Sequence, residues 1–133
     1  MSVGQAIAEH ALSLVGTRFR LHGRDPASGL DCVGLVLSCL AEAGRPLAFP
    51  AHYNLRNTDI APLLALGERE DVGLGAPPCR PGDIILARPG PAQHHLLVAI
   101  GPAAFVHAHA SLRRVVEAPF PAPWPILRHW RLT

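Results

Sequence analysis

The residues with most chemical promise in this chain are a cysteine at a helix start and two histidines far downstream. Cys32 follows Ser28-Gly29-Leu30-Asp31 and opens the apolar stretch Cys32-Val33-Gly34-Leu35-Val36, which reads as a helix to Ala43. A thiol in a first helical turn faces unpaired backbone N–H groups and the positive end of the helix dipole. That setting favours the thiolate and lowers a cysteine pKa from about 8.5 into a range of roughly 3.5–7.5. The same N–H groups are placed to donate to an oxyanion formed when sulfur attacks a carbonyl.

A nucleophile of this kind needs a base. His95 opens the apolar run Leu96–Ile100, and His107 closes Phe105-Val106. The connection between them, Gly101-Pro102-Ala103-Ala104, is short enough for a hairpin. The two imidazoles then fall on neighbouring antiparallel strands, with one ring holding the other. His95 reads as the base, and His107 as the group that fixes its tautomer and orientation.

The elements that must position these groups follow from pattern. Ser2 with Gln5 forms a capping box, and Val3, Ala6, Ile7, Ala11, Leu14 and Val15 keep helical spacing up to Gly16. Residues 17–31 read as a loop. The helix from Cys32 is apolar almost all round and ends at Gly44 and Pro46, so it belongs at the centre of the fold. Residues 45–57 read as loop, with Thr58 capping a short helix through Leu66 that Gly67 stops. Thereafter come short runs bounded by Gly or Pro: Ile84–Ala87, Leu96–Ile100, Ala103–Val106, Val115–Glu117 and Ile126–Arg128. Helices first and strands second predict an α+β domain with a mostly antiparallel sheet.

Composition narrows the function classes. The chain has 133 residues, 49% of them hydrophobic, which fits one globular domain spanning 1–133. A net charge of +2 gives no argument for nucleic acid, and the twelve basic residues, all arginine, are scattered along the sequence. No apolar run reaches the roughly 18 residues that span a bilayer. The N-terminus lacks a basic secretory n-region, which predicts synthesis in the cytoplasm without a signal peptide. Three cysteines are an odd number and do not read as a disulfide framework; Cys39 reads as core and Cys79 as incidental.

Four segments resemble the NlpC family of papain-like cell-wall cysteine peptidases. These are Gly16-Thr17-Arg18-Phe19 followed by Gly29-Leu30-Asp31-Cys32-Val33-Gly34-Leu35-Val36, then Pro81-Gly82-Asp83-Ile84-Ile85, His95-Leu96-Leu97-Val98-Ala99-Ile100-Gly101, and Phe105-Val106-His107-Ala108. They occur in the family's order over about residues 5–118. The likeness is greatest to the compact versions found with phage tails and gene-transfer particles. It implies a papain-like core in which the nucleophile helix packs on a sheet of about five to six strands. It also implies an endopeptidase that cuts peptidoglycan stem peptides next to D-glutamate, acting at the cell wall and delivered by a phage-like particle with its tail proteins. By position, Cys32 is the nucleophile, His95 the base and His107 its orienter, while Asp31, Val33 and Phe19 meet substrate.

Two positions depart from the family pattern. Val33 stands where serine is common, and Arg18-Phe19 stands where Pro-Tyr is usual. Each removes a hydroxyl near the substrate and puts substrate choice in question. A wall-binding module without turnover is the alternative of a different class, and acyl transfer on another amide or thioester is a third reading. His107 and His109, joined by His94 or His95, offer imidazoles for zinc, but no carboxylate or thiol has a metal spacing, so neither metal nor cofactor is expected. His94 is expected to point away from His95 into solvent. His22, His52 and Tyr53 read as exposed loop residues. Trp124 and Trp130 read as covers for one end of the core, and Arg113-Arg114 as a solvated hairpin edge or an attraction for anionic wall polymer.

Overall fold

The computed structural model describes residues 1–49 and 64–133. The first helix, α1 (Val3–Ser13), begins at the expected capping box: the Ser2 hydroxyl accepts from the Gln5 N–H at 3.1 Å, and the Gln5 side chain accepts from the Ser2 N–H at 2.9 Å. Its apolar stripe buries Ile7, Ala8 and Ala11. The loop read at 17–31 contains a two-residue hairpin, β1 (Arg24–Asp25) and β2 (Gly29–Leu30). It leads into α2 (Cys32–Glu42), of whose eleven residues seven are buried, as an all-round apolar helix requires.

A six-stranded antiparallel sheet follows, in the order β3-β8-β4-β5-β6-β7. Its strands are β3 (Val72–Leu74), β4 (Ile84–Ala87), β5 (His95–Ala99), β6 (Ala104–His109), β7 (Arg114–Pro119) and β8 (Ile126–Leu132). One face carries Ile84, Leu86, Leu96, Val98, Val106, Ala108, Val115 and Trp130 against α1 and α2. The other carries Ile85, Ala87, Leu97 and Phe105 under Phe120, Ala122 and Trp124. The α+β class, the packing of the cysteine helix on the sheet and the six-strand count all match the sequence reading.

Some boundaries differ. β5 starts at His95 as read but ends at Ala99, and β6 runs on through His107 to His109, so His107 lies inside its strand rather than at its end. The edge strand β3 went unread because three residues centred on Gly73, with Leu74 84% exposed, carry no alternation. The helix read over 58–66 falls mostly outside the described residues. Ala65–Glu68 is a 3-10 turn that includes Gly67, where a side chain would collide with the Trp130 indole. That close approach, not helix termination, is why glycine stands there.

Candidate active site

Asp31 builds the first wall of the site. It is the N-cap of α2, and one carboxylate oxygen accepts the Gly34 N–H at 2.8 Å. The other accepts the His22 N–H at 2.8 Å, while His22 itself adopts a left-handed backbone. Gly34 lets the 20–24 loop press on this turn, since a Cβ there would strike the Gly23 carbonyl. Asp31 is fully buried, so its carboxylate holds the turn that presents Cys32. Asp31, placed by the family likeness among the residues that meet substrate, is here bonded to the Gly34 and His22 N–H groups.

Cys32 is 1% exposed, and the backbone N–H groups of Leu96, Val33 and Cys32 itself pull its thiol pKa down. Those donors favour the thiolate, as expected of a helix start. They are outweighed. Burial pushes the thiol up to about 12, and the Asp31 carboxylate beside it adds to the rise. The sequence expectation of a pre-ionised thiol is therefore corrected: desolvation of an anion exceeds the field of one helix terminus. Cys39, also buried, is likewise pushed up to about 12 by burial alone.

The second wall comes from the sheet. His95 Nε2 and His107 Nδ1 are hydrogen-bonded at 2.8 Å, the pairing expected from the hairpin. This contact occupies one His95 nitrogen and leaves Nδ1 as its only other basic atom. No hydrogen bond joins the Cys32 sulfur to the His95 ring in this resting arrangement, though both line one cleft. Burial lowers the His95 pKa to about 3, with His107 and His109 adding to the effect, and lowers His107 to about 4. At neutral pH Cys32 is thus a neutral thiol, and His95 and His107 are neutral imidazoles.

That cleft has a volume of about 780 Å³ and is lined by Phe19, Leu21, His22 and Cys32 on one side. Pro89, Gln93, His94, His95, His107, Ala108, His109, Ala110, Ser111 and Trp124 line the other. Phe19 lines this cleft. Val33 does not: its side chain is 2% exposed within the main core, and only its N–H faces the sulfur. His94 is corrected too. It is 8% exposed rather than solvated, and its Nδ1 is buried without a partner. Sequence reasoning missed Trp124, whose ring meets His95 edge-on at 5.6 Å and His107 at 5.8 Å. A tryptophan between two prolines, unable to join a strand, was the available signal.

His107 and His109 do share a strand face, with ring centroids 5.4 Å apart. Their nitrogens do not converge with a third ligand. Among the described residues, three potential ligand atoms come within 4.8 Å of one another only at Cys79, Asp83 and His129. There Asp83 accepts from Arg131 at 2.9 and 2.7 Å, from His129 at 2.6 Å and from the Arg80 N–H at 3.0 Å. Burial pulls the Asp83 pKa up, but these hydrogen bonds outweigh it and hold the carboxyl below its ordinary range. With both oxygens taken by a guanidinium, the cluster ties β8 to the start of β4.

No protein-family model matches the sequence, and no curated protein matches it. Solved structures do. NlpC2 from Trichomonas vaginalis aligns with a TM-score of 0.69 at 20% identity, over 97% of this chain and 48% of that one. The NlpC/p60 domain of the peptidoglycan hydrolase SagA gives 0.62 at 22% identity, over 87% and 88%. RipD from Mycobacterium tuberculosis, a non-catalytic NlpC/p60 domain protein adapted to peptidoglycan binding, gives 0.64 at 17%, over 98% and 96%. The chain spans about half the length of the Trichomonas protein. Its fold is that of NlpC/p60 domains. No helix among the described residues is long and apolar enough to cross a membrane.

Proposed function

We propose that this domain is a cysteine endopeptidase that hydrolyses amide bonds of peptidoglycan stem peptides, next to D-glutamate. The observation that carries the reading is the meeting, in one cleft, of a cysteine at a capped helix start and a hydrogen-bonded histidine pair. The NlpC/p60 fold supports the substrate class.

The mechanism starts from the neutral pair. As the Cys32 sulfur attacks the scissile carbonyl carbon, its proton passes to His95 Nδ1. The charge that develops on the carbonyl oxygen is met by N–H groups of the α2 start, with Cys32 its own donor. The resulting imidazolium donates its Nε2–H to His107 Nδ1, which fixes the tautomer. His95 then protonates the leaving amine, the C–N bond breaks and a thioester remains. Water, deprotonated by His95, opens the thioester and restores the thiol. In this reading Asp31 positions Cys32, Phe19 and Trp124 wall the cleft, and Val33 supplies a main-chain donor.

Action at the wall, with delivery by a phage-like particle, completes the proposal. A binding module without turnover is the second reading, and the elevated Cys32 thiol pKa favours it over an always-active enzyme. Digesting muropeptides with the protein and its Cys32→Ala variant, then reading products by mass spectrometry, separates the two. A new pair of fragments, one ending at D-glutamate and the other starting with a free amine, is expected and should be absent with Cys32→Ala. Identical mixtures from both proteins would sink the hydrolase.

A further inference from the structure

Charge that looks scattered along the sequence is gathered by the fold. Four exposed arginines, Arg18, Arg20, Arg113 and Arg114, stand at the β7 edge of the sheet. Among the described residues none of them makes an ion pair; the pairs present involve Arg45, Arg69, His129 and Arg131. Arg18 lies directly opposite Arg114 in an antiparallel bridge. The flanking bonds run from the Phe19 N–H to the Arg113 carbonyl at 2.9 Å and from the Val115 N–H to the Thr17 carbonyl at 2.8 Å. That pattern makes Arg18 and Arg114 a non-hydrogen-bonded pair, the register in which opposed side chains come closest. Like charges directly opposite one another destabilise a sheet. Arg20, two residues on from Arg18, shares its face, whereas Glu117, the carboxylate of β7, alternates to the other side. Among the described residues, no carboxylate pairs with either guanidinium.

The pair adjoins the cleft. Arg114 is the cross-strand partner of His109, which lines it. A row His109–Arg114–Arg18 therefore leads outward from the histidine wall at about 4.8 Å per strand. We propose that Arg18 and Arg114, with Arg20 beside them, form an anion subsite that grips a carboxylate of the peptide cut at Cys32. This rests on the hydrolase reading, which supplies the peptide. From His95 the subsite is about three strand spacings away, a span that about four residues of extended chain cover. Two guanidinium forks suit a carboxylate held bidentately.

The test uses Cys32→Ala protein and two synthetic stem peptides that differ only in whether the distal carboxylate is free or amidated. The free acid should bind about tenfold tighter at low salt, and Arg18→Gln with Arg114→Gln should erase that preference while leaving the amide's affinity unchanged. Arg114→Lys, which keeps charge but loses the fork, should fall between. With Cys32 intact, the same arginine changes should raise KM for the free acid without changing kcat. Equal binding of both peptides, binding of neither, or arginine-dependent capture of a phosphodiester wall polymer alone would overturn the subsite. Charge-dependent binding without any hydrolysis would instead retire the hydrolase and keep the subsite; hydrolysis indifferent to the carboxylate would do the reverse.

Discussion

Two clusters in this molecule each bring a thiol, an imidazole and a third polar group together, and they behave differently. Cys79, His129 and Asp83 meet near the start of β4, while Cys32 and the bonded pair His95 and His107 line one cleft where α2 abuts β5. In the first, a guanidinium neutralises the carboxylate, and both of its oxygens have partners. In the second, among the described residues, the charge beside the thiol is the Asp31 carboxylate, which adds to burial in raising it, while the imidazoles are lowered and a cleft opens beside them. Residue types are therefore a poor guide to chemistry. What separates a structural knot from a reactive centre is whether its protons have somewhere better to go when a substrate arrives.

That contrast can be broken from either side. His95→Ala should lower hydrolysis by about 10²–10⁴-fold with little change in thermal stability, read by steady-state assay and calorimetry. A large loss of stability instead would make the histidine pair the structural cluster. Asp83→Ala should do the opposite, lowering the denaturant-unfolding midpoint while leaving hydrolysis unchanged, because it removes the carboxylate that joins Arg131 and His129. Unchanged stability in that variant would deny the knot its role.

Titration sharpens the comparison. The unfolded chain protonates histidine near 6.5, whereas folded His95 and His107 stay neutral to about 3 and about 4. The unfolded state thus binds more protons in that window. Stability should be full above about pH 6.5 and fall as pH drops toward 4, by up to about 1.4 kcal/mol per unit for each ring. His95→Phe should flatten the slope. For the thiol, alkylation of Cys32 by iodoacetamide should rise about tenfold per pH unit through pH 9, following the thiolate fraction. An inflection below pH 7 would mean a pre-formed thiolate. The smallest effect belongs to His94→Leu, which removes an unpartnered buried nitrogen and should leave stability within about 1 kcal/mol of the parent or slightly above it.

Local signals were readable where local physics decides. The capping box at Ser2, the apolar α2 and the short runs that became β4–β8 follow from spacing and from the glycines and prolines around them. The His95–His107 contact was legible because a short connection with alternating side chains leaves few other arrangements. Thiol ionisation was not, since it depends on how deeply the sheet buries Cys32, which no window around residue 32 reports. The same holds for Asp83, whose partners His129 and Arg131 lie 46 and 48 residues away. It holds also for Arg18 and Arg114, far apart in sequence and opposed only in the fold.

The most direct test deletes one sulfur from each cluster. Cys32→Ala and Cys79→Ala, assayed side by side on the same stem peptide, remove a thiol next to an imidazole in both cases. The account predicts that Cys32→Ala abolishes amide cleavage while Cys79→Ala cleaves at the parent rate. Cleavage that survives loss of Cys32, or that vanishes with Cys79 alone, would contradict it.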